Sequence, residues 1–156
     1  ARQREEISMN PSVVRKRILQ EHAALRRRLR ELEAAVDAMH TDASQVRCVV
    51  DIARELLTEL VVHTELEDAI LAPALREIDA WGPIRANSLL EHHESQRAQL
   101  RELAECYGAA EDCERIAHIT LEWLRDVRTD MTHEETEVLS ASLLRDDPIA
   151  VGMESG

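Results

Sequence analysis

Apolar residues recur at helical spacing along almost the whole chain, and the places where the rhythm breaks divide it into four long helices. Ile18, Leu25, Leu29, Leu32, Val36 and Met39 form one stripe, and Asn10-Pro11 before it supplies a cap and a first-turn proline. The first helix is therefore predicted over residues 11–39. Asp42 and Gln45 resemble a capping box opening the second, whose stripe is Val49, Ile52, Leu56, Leu60, Ile70 and Leu71. Pro73 is expected to kink or end it before Trp81-Gly82-Pro83. The third helix starts near Pro83 or Ile84, carries Leu89, Leu90, Leu100 and Leu103, and stops at Gly108 as a C-terminal cap. The fourth starts at Asp112 and carries Ile116, Ile119, Trp123, Val127, then Leu139, Leu143 and Leu144.

Short turns between the first and second helices and between the third and fourth make each pair antiparallel. An all-α, up-down-up-down four-helix bundle follows. The expected organisation is an N-terminal extension over 1–10, the bundle over 11–144 and a flexible tail over 145–156. Composition agrees: 156 residues suit one domain, and there are four Gly, four Pro, no Phe, one Tyr and two Trp.

Four histidines interrupt these stripes in a repeated pattern. His22 leads to His63 and Glu67, and His93 leads to His133 and Glu137; the halves are displaced by 71 residues at the lone histidines and by 70 at both pairs. His118 with Glu122 has the same spacing but no repeat partner, since Cys48 and Ile52 stand 70 residues earlier. At about 1.5 Å per residue, His22 and His63 lie roughly 27 and 32 Å from the first turn, and His93 and His133 roughly 22 and 32 Å from the second. All four thus reach a similar depth. Each imidazole replaces an apolar residue on a core stripe, and Glu67 and Glu137 share that face because i and i+4 stack. One histidine on an apolar face is more often a hydrogen-bonded core residue than a ligand. Six groups converging by repeat are another matter, because buried carboxylates need a cation or strong donors. The expected metal ligands are His22, His63, Glu67, His93, His133 and Glu137.

His92 and His93 are adjacent, and His93 is chosen because Leu89, Leu90, Leu100 and Leu103 surround it as Ile18, Leu19, Leu29 and Leu32 surround His22. His92, Glu59 and Asp130 are expected to support the ligands from outside the coordination shell. Leu25, Leu66, Ile70 and Leu89 are the expected apolar wall. Four His and two Glu exceed what one tetrahedral ion needs, and His133-Glu134-Glu135-Thr136-Glu137 lacks the second histidine of a zinc protease motif. Imidazole with carboxylate suits iron, and six ligands divide over two ions with the glutamates bridging. Ferritin-like sites use Glu-x-x-His instead, a spacing that does not repeat here.

This set on four helices, with QEHAALRRRL, HTELEDAILAPAL and EHHESQRAQL around its members, resembles the hemerythrin-like family, the HHE cation-binding domain, over about residues 11–144. The chain is similar to a subgroup with four His and two Glu. It departs from the oxygen carriers, which place a histidine where Arg97 stands and an aspartate where Val138 stands. The resemblance implies two iron ions, oxo- or hydroxo-bridged, that bind or turn over a small oxidant: dioxygen, peroxide or nitric oxide. The alternatives are an iron- or redox-sensing module whose occupancy switches partner binding, and a structural bundle without metal. Tyr107, fourteen residues from His93, is too distant for a tyrosyl role.

Charge narrows the partners. A net charge of −12 excludes nucleic acid as an expected ligand. Residues 1–30 nonetheless carry nine basic and three acidic side chains, and Arg26, Arg27, Arg28 and Arg30 read as a solvated face paired with acidic neighbours. No run of eighteen apolar residues occurs, so no membrane partner is expected, and ARQREEISMN lacks the apolar stretch of a secretory leader. A cytoplasmic protein with Cys48, Cys106 and Cys113 reduced is expected, a Cys106–Cys113 bridge being the lesser alternative. The residues 149–156 faintly resemble tails that load cargo into encapsulin shells.

Overall fold

The computed structural model describes residues 9–110 and 112–147. Four helices, α1 (Pro11–Thr41), α2 (Val46–Ile78), α3 (Gly82–Ala109) and α4 (Cys113–Glu137), form the expected bundle, with one 3₁₀ turn at Ala43–Gln45 and no strand among the described residues. α2 packs closely against α1 and α3, and α4 packs mainly against α1, while α3 and α4 stand further apart. The encapsulin-like residues 149–156 lie outside the described part of the chain. No described helix is long and apolar enough to cross a membrane.

The ends follow local chemistry, with three differences from expectation. Asp42 and Asp112 cap their helices by accepting from the backbone N–H of Ser44 and Glu114. Asn10 provides no side-chain cap; instead Asp146 accepts from the Ser12 N–H at 3.0 Å and from its hydroxyl at 2.6 Å. The start of the expected loose tail is thus fastened to α1. Pro73 does not end α2, which continues to Ile78. Pro73 and Ala69, whose carbonyl the proline leaves without its helical donor, are both solvent-exposed, so water can take the lost bond. Gly108 is not a left-handed cap, because α3 runs one residue further and no described glycine has positive φ.

Gly82 is the glycine that matters. A Cβ there would stand 2.7 Å from the Arg76 carbonyl oxygen and closer still to that of Leu75, so α3 can begin against the end of α2 only without a side chain.

The core comes in two parts. Near the α1–α2 and α3–α4 turns, Leu29, Leu32, Val36, Val49, Leu56 and Ile116 are buried with their neighbours. At the opposite end Val14, Ile18, Leu71, Leu75, Leu89, Leu139 and Leu144 form a second cluster. Leu139 and Leu144 reach it from the turn after α4 rather than from a helical stripe, and Arg15 donates to the Leu139 carbonyl at 2.7 Å. Between the two clusters the polar residues take over. Replacing Gly82→Ala should destabilise the fold by about 1–3 kcal/mol through overpacking; a thermal midpoint equal to that of the parent would contradict the close approach.

Candidate metal centre

Glu67 lies at the middle of the bundle with no exposure to solvent, and three imidazoles converge on its carboxylate. Glu67 Oε1 is 2.7 Å from His63 Nε2 and 3.3 Å from His22 Nε2, and Oε2 is 2.8 Å from His93 Nε2. Glu134, on α4, brings Oε1 to 3.3 Å from His22 Nε2. All three histidines are buried. Donor atoms of His22, His63, Glu67 and Glu134 all lie within 4.8 Å of one another.

Each of two histidines is aimed by a carboxylate that an arginine holds. His22 Nδ1 faces Glu135 Oε1 at 3.3 Å, and Arg26 donates to both oxygens of Glu135 at 2.6 and 2.7 Å. His93 Nδ1 faces Asp68 Oδ1 at 2.5 Å, and Arg97 donates to Asp68 Oδ2. Orienting one ring nitrogen in this way leaves Nε2 directed at the centre. The two braces repeat the bundle's symmetry. α2 sends Glu67 inward and Asp68 sideways to α3, while α4 sends Glu134 inward and Glu135 sideways to α1.

The structure brings together His22, His63, Glu67 and His93 from the expected set, and it leaves His92 exposed. It does not bring His133 or Glu137 there. Their side chains are 76% and 62% exposed and face each other at 3.8 Å. Helix phase accounts for His133: ten residues from the core residue Trp123 put it about 80° off that direction, whereas eleven put Glu134 only about 20° off; Glu137 is the last residue of α4, where the helix stops. The supporting residues also differ from expectation. Glu59 pairs with Arg28, and Asp130 accepts from Gln96 at 3.1 Å while His92 stands 3.9 Å from it. Neither touches a buried imidazole.

Sequence signals for the missed residues existed. Glu134 follows Val127 by seven, and Arg26 and Arg97 each stand four residues after a histidine, a repeat displaced by 71 like that of the histidines. Tyr107 is buried far along the bundle, hydrogen-bonded to Thr120 at 2.6 Å and edge-on to Trp123. Cys48, Cys106 and Cys113 are free thiols.

The charges resolve only if something positive is shared. Burial pushes the His22 imidazole down, but Glu134 and Glu67 outweigh it and hold its pKa up at about 10. His93 is likewise lowered by burial and raised further by Glu67 and Asp68, to a net increase. For Glu67, burial raises the pKa and the three histidines pull it well below the usual carboxylate range. Burial carries Glu134 up to about 8, His22 opposing and Glu67 reinforcing the rise. Protons thus supply the positive charge that the carboxylates demand. They do it incompletely: His63 Nδ1, Glu67 Oε2, His93 Nε2 and Glu134 Oε1 are buried without a hydrogen bond, and His93 Nε2 approaches Glu67 Oε2 without the geometry of one. Three of those four orphaned atoms face the centre, and a histidine–carboxylate donor set of this kind fits a metal cation.

The sign of the pH dependence follows. His22, raised above its unfolded value near 6.5, contributes stability that is complete below that value and lost as pH rises through about 10. Glu134, raised above 4.5, contributes stability lost as pH rises through about 8. Glu67 and Glu135 are depressed, so their contributions are lost below about pH 4.5. The metal-free protein should have its highest thermal midpoint at about pH 4.5 to 5 and lose stability steadily from there toward pH 10. A flat profile from pH 6 to 10 would contradict the protonated cluster.

Residues 13–143 match the sequence model of a family described as Hemerythrin HHE cation binding domain. No curated protein and no solved structure matches the chain.

Proposed function

The chain belongs to the hemerythrin HHE cation-binding domain family, and from that premise we propose that the cluster around Glu67 holds two iron ions and that a small oxidant, dioxygen, peroxide or nitric oxide, reacts there. The observation that carries this reading is a fully buried carboxylate ringed by three imidazole Nε2 atoms, with polar atoms left over that no protein group satisfies. His22, His63, Glu67 Oε1 and Glu134 would hold one ion. His93 would hold the second, with Glu67 shared between the two. Iron held by these residues would supply the electrons that reduce the oxidant.

The protein's own part is to orient and to exclude. Asp68 and Glu135 fix the ring directions and, as hydrogen-bond acceptors, make the opposite nitrogens better donors. Leu25 on one side and Leu66, Ile70 and Leu89 on the other belong to the two apolar clusters that enclose the centre. Cation binding must displace the protons now shared among His22, His93 and the carboxylates, so loading releases protons.

Elemental analysis of protein loaded with ferrous iron under argon should give two metals per chain. Glu134→Ala should lower that stoichiometry and His133→Ala should not; intact loading of Glu134→Ala would overturn the ligand set. The 70-residue repeat favours a second reading, in which the last turn of α4 rotates by about 100°, one residue's step, and exchanges Glu134 for His133 with Glu137 beside it. In that case His133→Ala is the variant that loses metal.

Peroxide added to the reduced, iron-loaded protein should change its near-ultraviolet absorption, and the change should vanish in Glu67→Gln. Many turnovers mark an enzyme, and a single oxidation mark a redox-sensing module. An unchanged spectrum would contradict oxidant chemistry at this centre while leaving metal binding intact.

A further inference from the structure

The wide spacing between α3 and α4 leaves a cleft of about 250 Å³ whose floor is the polar cluster itself, formed by His22, His63, Glu67 and Glu134. At ~30 Å³ per water in the liquid, that is room for about eight waters. A diatomic gas or peroxide needs a small fraction of it. The cleft is therefore larger than the proposed oxidant requires, and its walls show what else it fits.

Those walls are apolar. Leu60, Leu100, Leu103, Ile119, Trp123 and Met131 line it, and Trp123 is buried against it. Its rim is acidic: Glu122, Asp126 and Asp130 stand along α4, opposite the amides of Gln96 and Gln99 on α3. No lysine or arginine lines the cleft, in a chain that carries 19 of them. Glu122 faces His118 at 3.5 Å and Asp130 accepts from Gln96, whereas Asp126 has no hydrogen-bond or ion-pair partner among the described residues. An organic anion would meet these rim carboxylates. An apolar molecule with a cationic end would meet complementary surface at both ends.

We propose that the α3–α4 cleft is a binding site for a small organic amine, its alkyl or aryl body between Leu100 and Trp123 and its ammonium group at the Asp126 rim. This site goes beyond the oxidant chemistry and does not need metal, so it is tested without any. In Trp81→Phe protein, which removes the exposed indole 64% accessible to solvent, the remaining indole is Trp123 inside the cleft. Chelator-treated protein is titrated with n-hexylamine, 1-hexanol and hexanoate at pH 7 while Trp123 fluorescence is followed.

The expected result is a saturable change with hexylamine, at least tenfold weaker binding of hexanol, and none of hexanoate. The double variant Glu122→Gln with Asp126→Asn, both exposed and outside the metal cluster, should weaken hexylamine several-fold and leave hexanol unchanged. No saturable change, or hexanol binding as tightly as hexylamine, would overturn the proposal. Metal stoichiometry is untouched by either outcome.

Discussion

A carboxylate with no access to water sits at the centre of this bundle, and everything around it answers to that charge. Glu67 can stay ionised there only because His22, His63 and His93 turn Nε2 toward it from three different helices. Burying an unpaired carboxylate would cost more than a domain of this size has to spare. The cluster divides the apolar core in two, so the bundle cannot close without satisfying it. The same demand raises the pKa of His22 and of His93, the direction that supplies positive charge. A metal cation would meet that demand with the same donors.

The arrangement is twofold in outline and unequal in detail. Arg26 with Glu135 and Arg97 with Asp68 brace His22 and His93 in the same manner, from opposite sides. The inner carboxylates are not equivalent. Glu67 is sealed and shared by three imidazoles, whereas Glu134 is 14% exposed and pairs with one, His22. The cleft between α3 and α4 opens beside Glu134. One half of the centre is thus enclosed and the other adjoins space.

The helices and the depth of the site were legible because they depend on periodicities that a sequence displays directly. His63-x3-Glu67 and the choice of His93 over His92 followed from the same stripes that formed the core. On α4 the repeat of His63 and Glu67 misleads, because His133 lies about 80° from the direction of Trp123 and Glu137 stands at the helix's last residue. The structure sets Glu134 inward, three residues before Glu137 and so nearly one turn earlier. The braces were missed for a different reason. Glu59 and Asp130 lie one turn from a histidine on the same helix, but an imidazole's outer nitrogen points across to the neighbouring helix, where Asp68 and Glu135 wait. Sequence offsets reveal partners along one helix far better than partners between two. Pro73 was overweighted because its lost hydrogen bond falls on the wet side of α2, where water replaces it.

Anomalous diffraction from crystals loaded with ferrous iron, recorded on both sides of the iron absorption edge, bears most directly on the centre described here. Density touching Glu67 and within coordination distance of His22, His63 and His93 is the predicted result. Crystals that take up iron with no anomalous density at Glu67 would contradict the account.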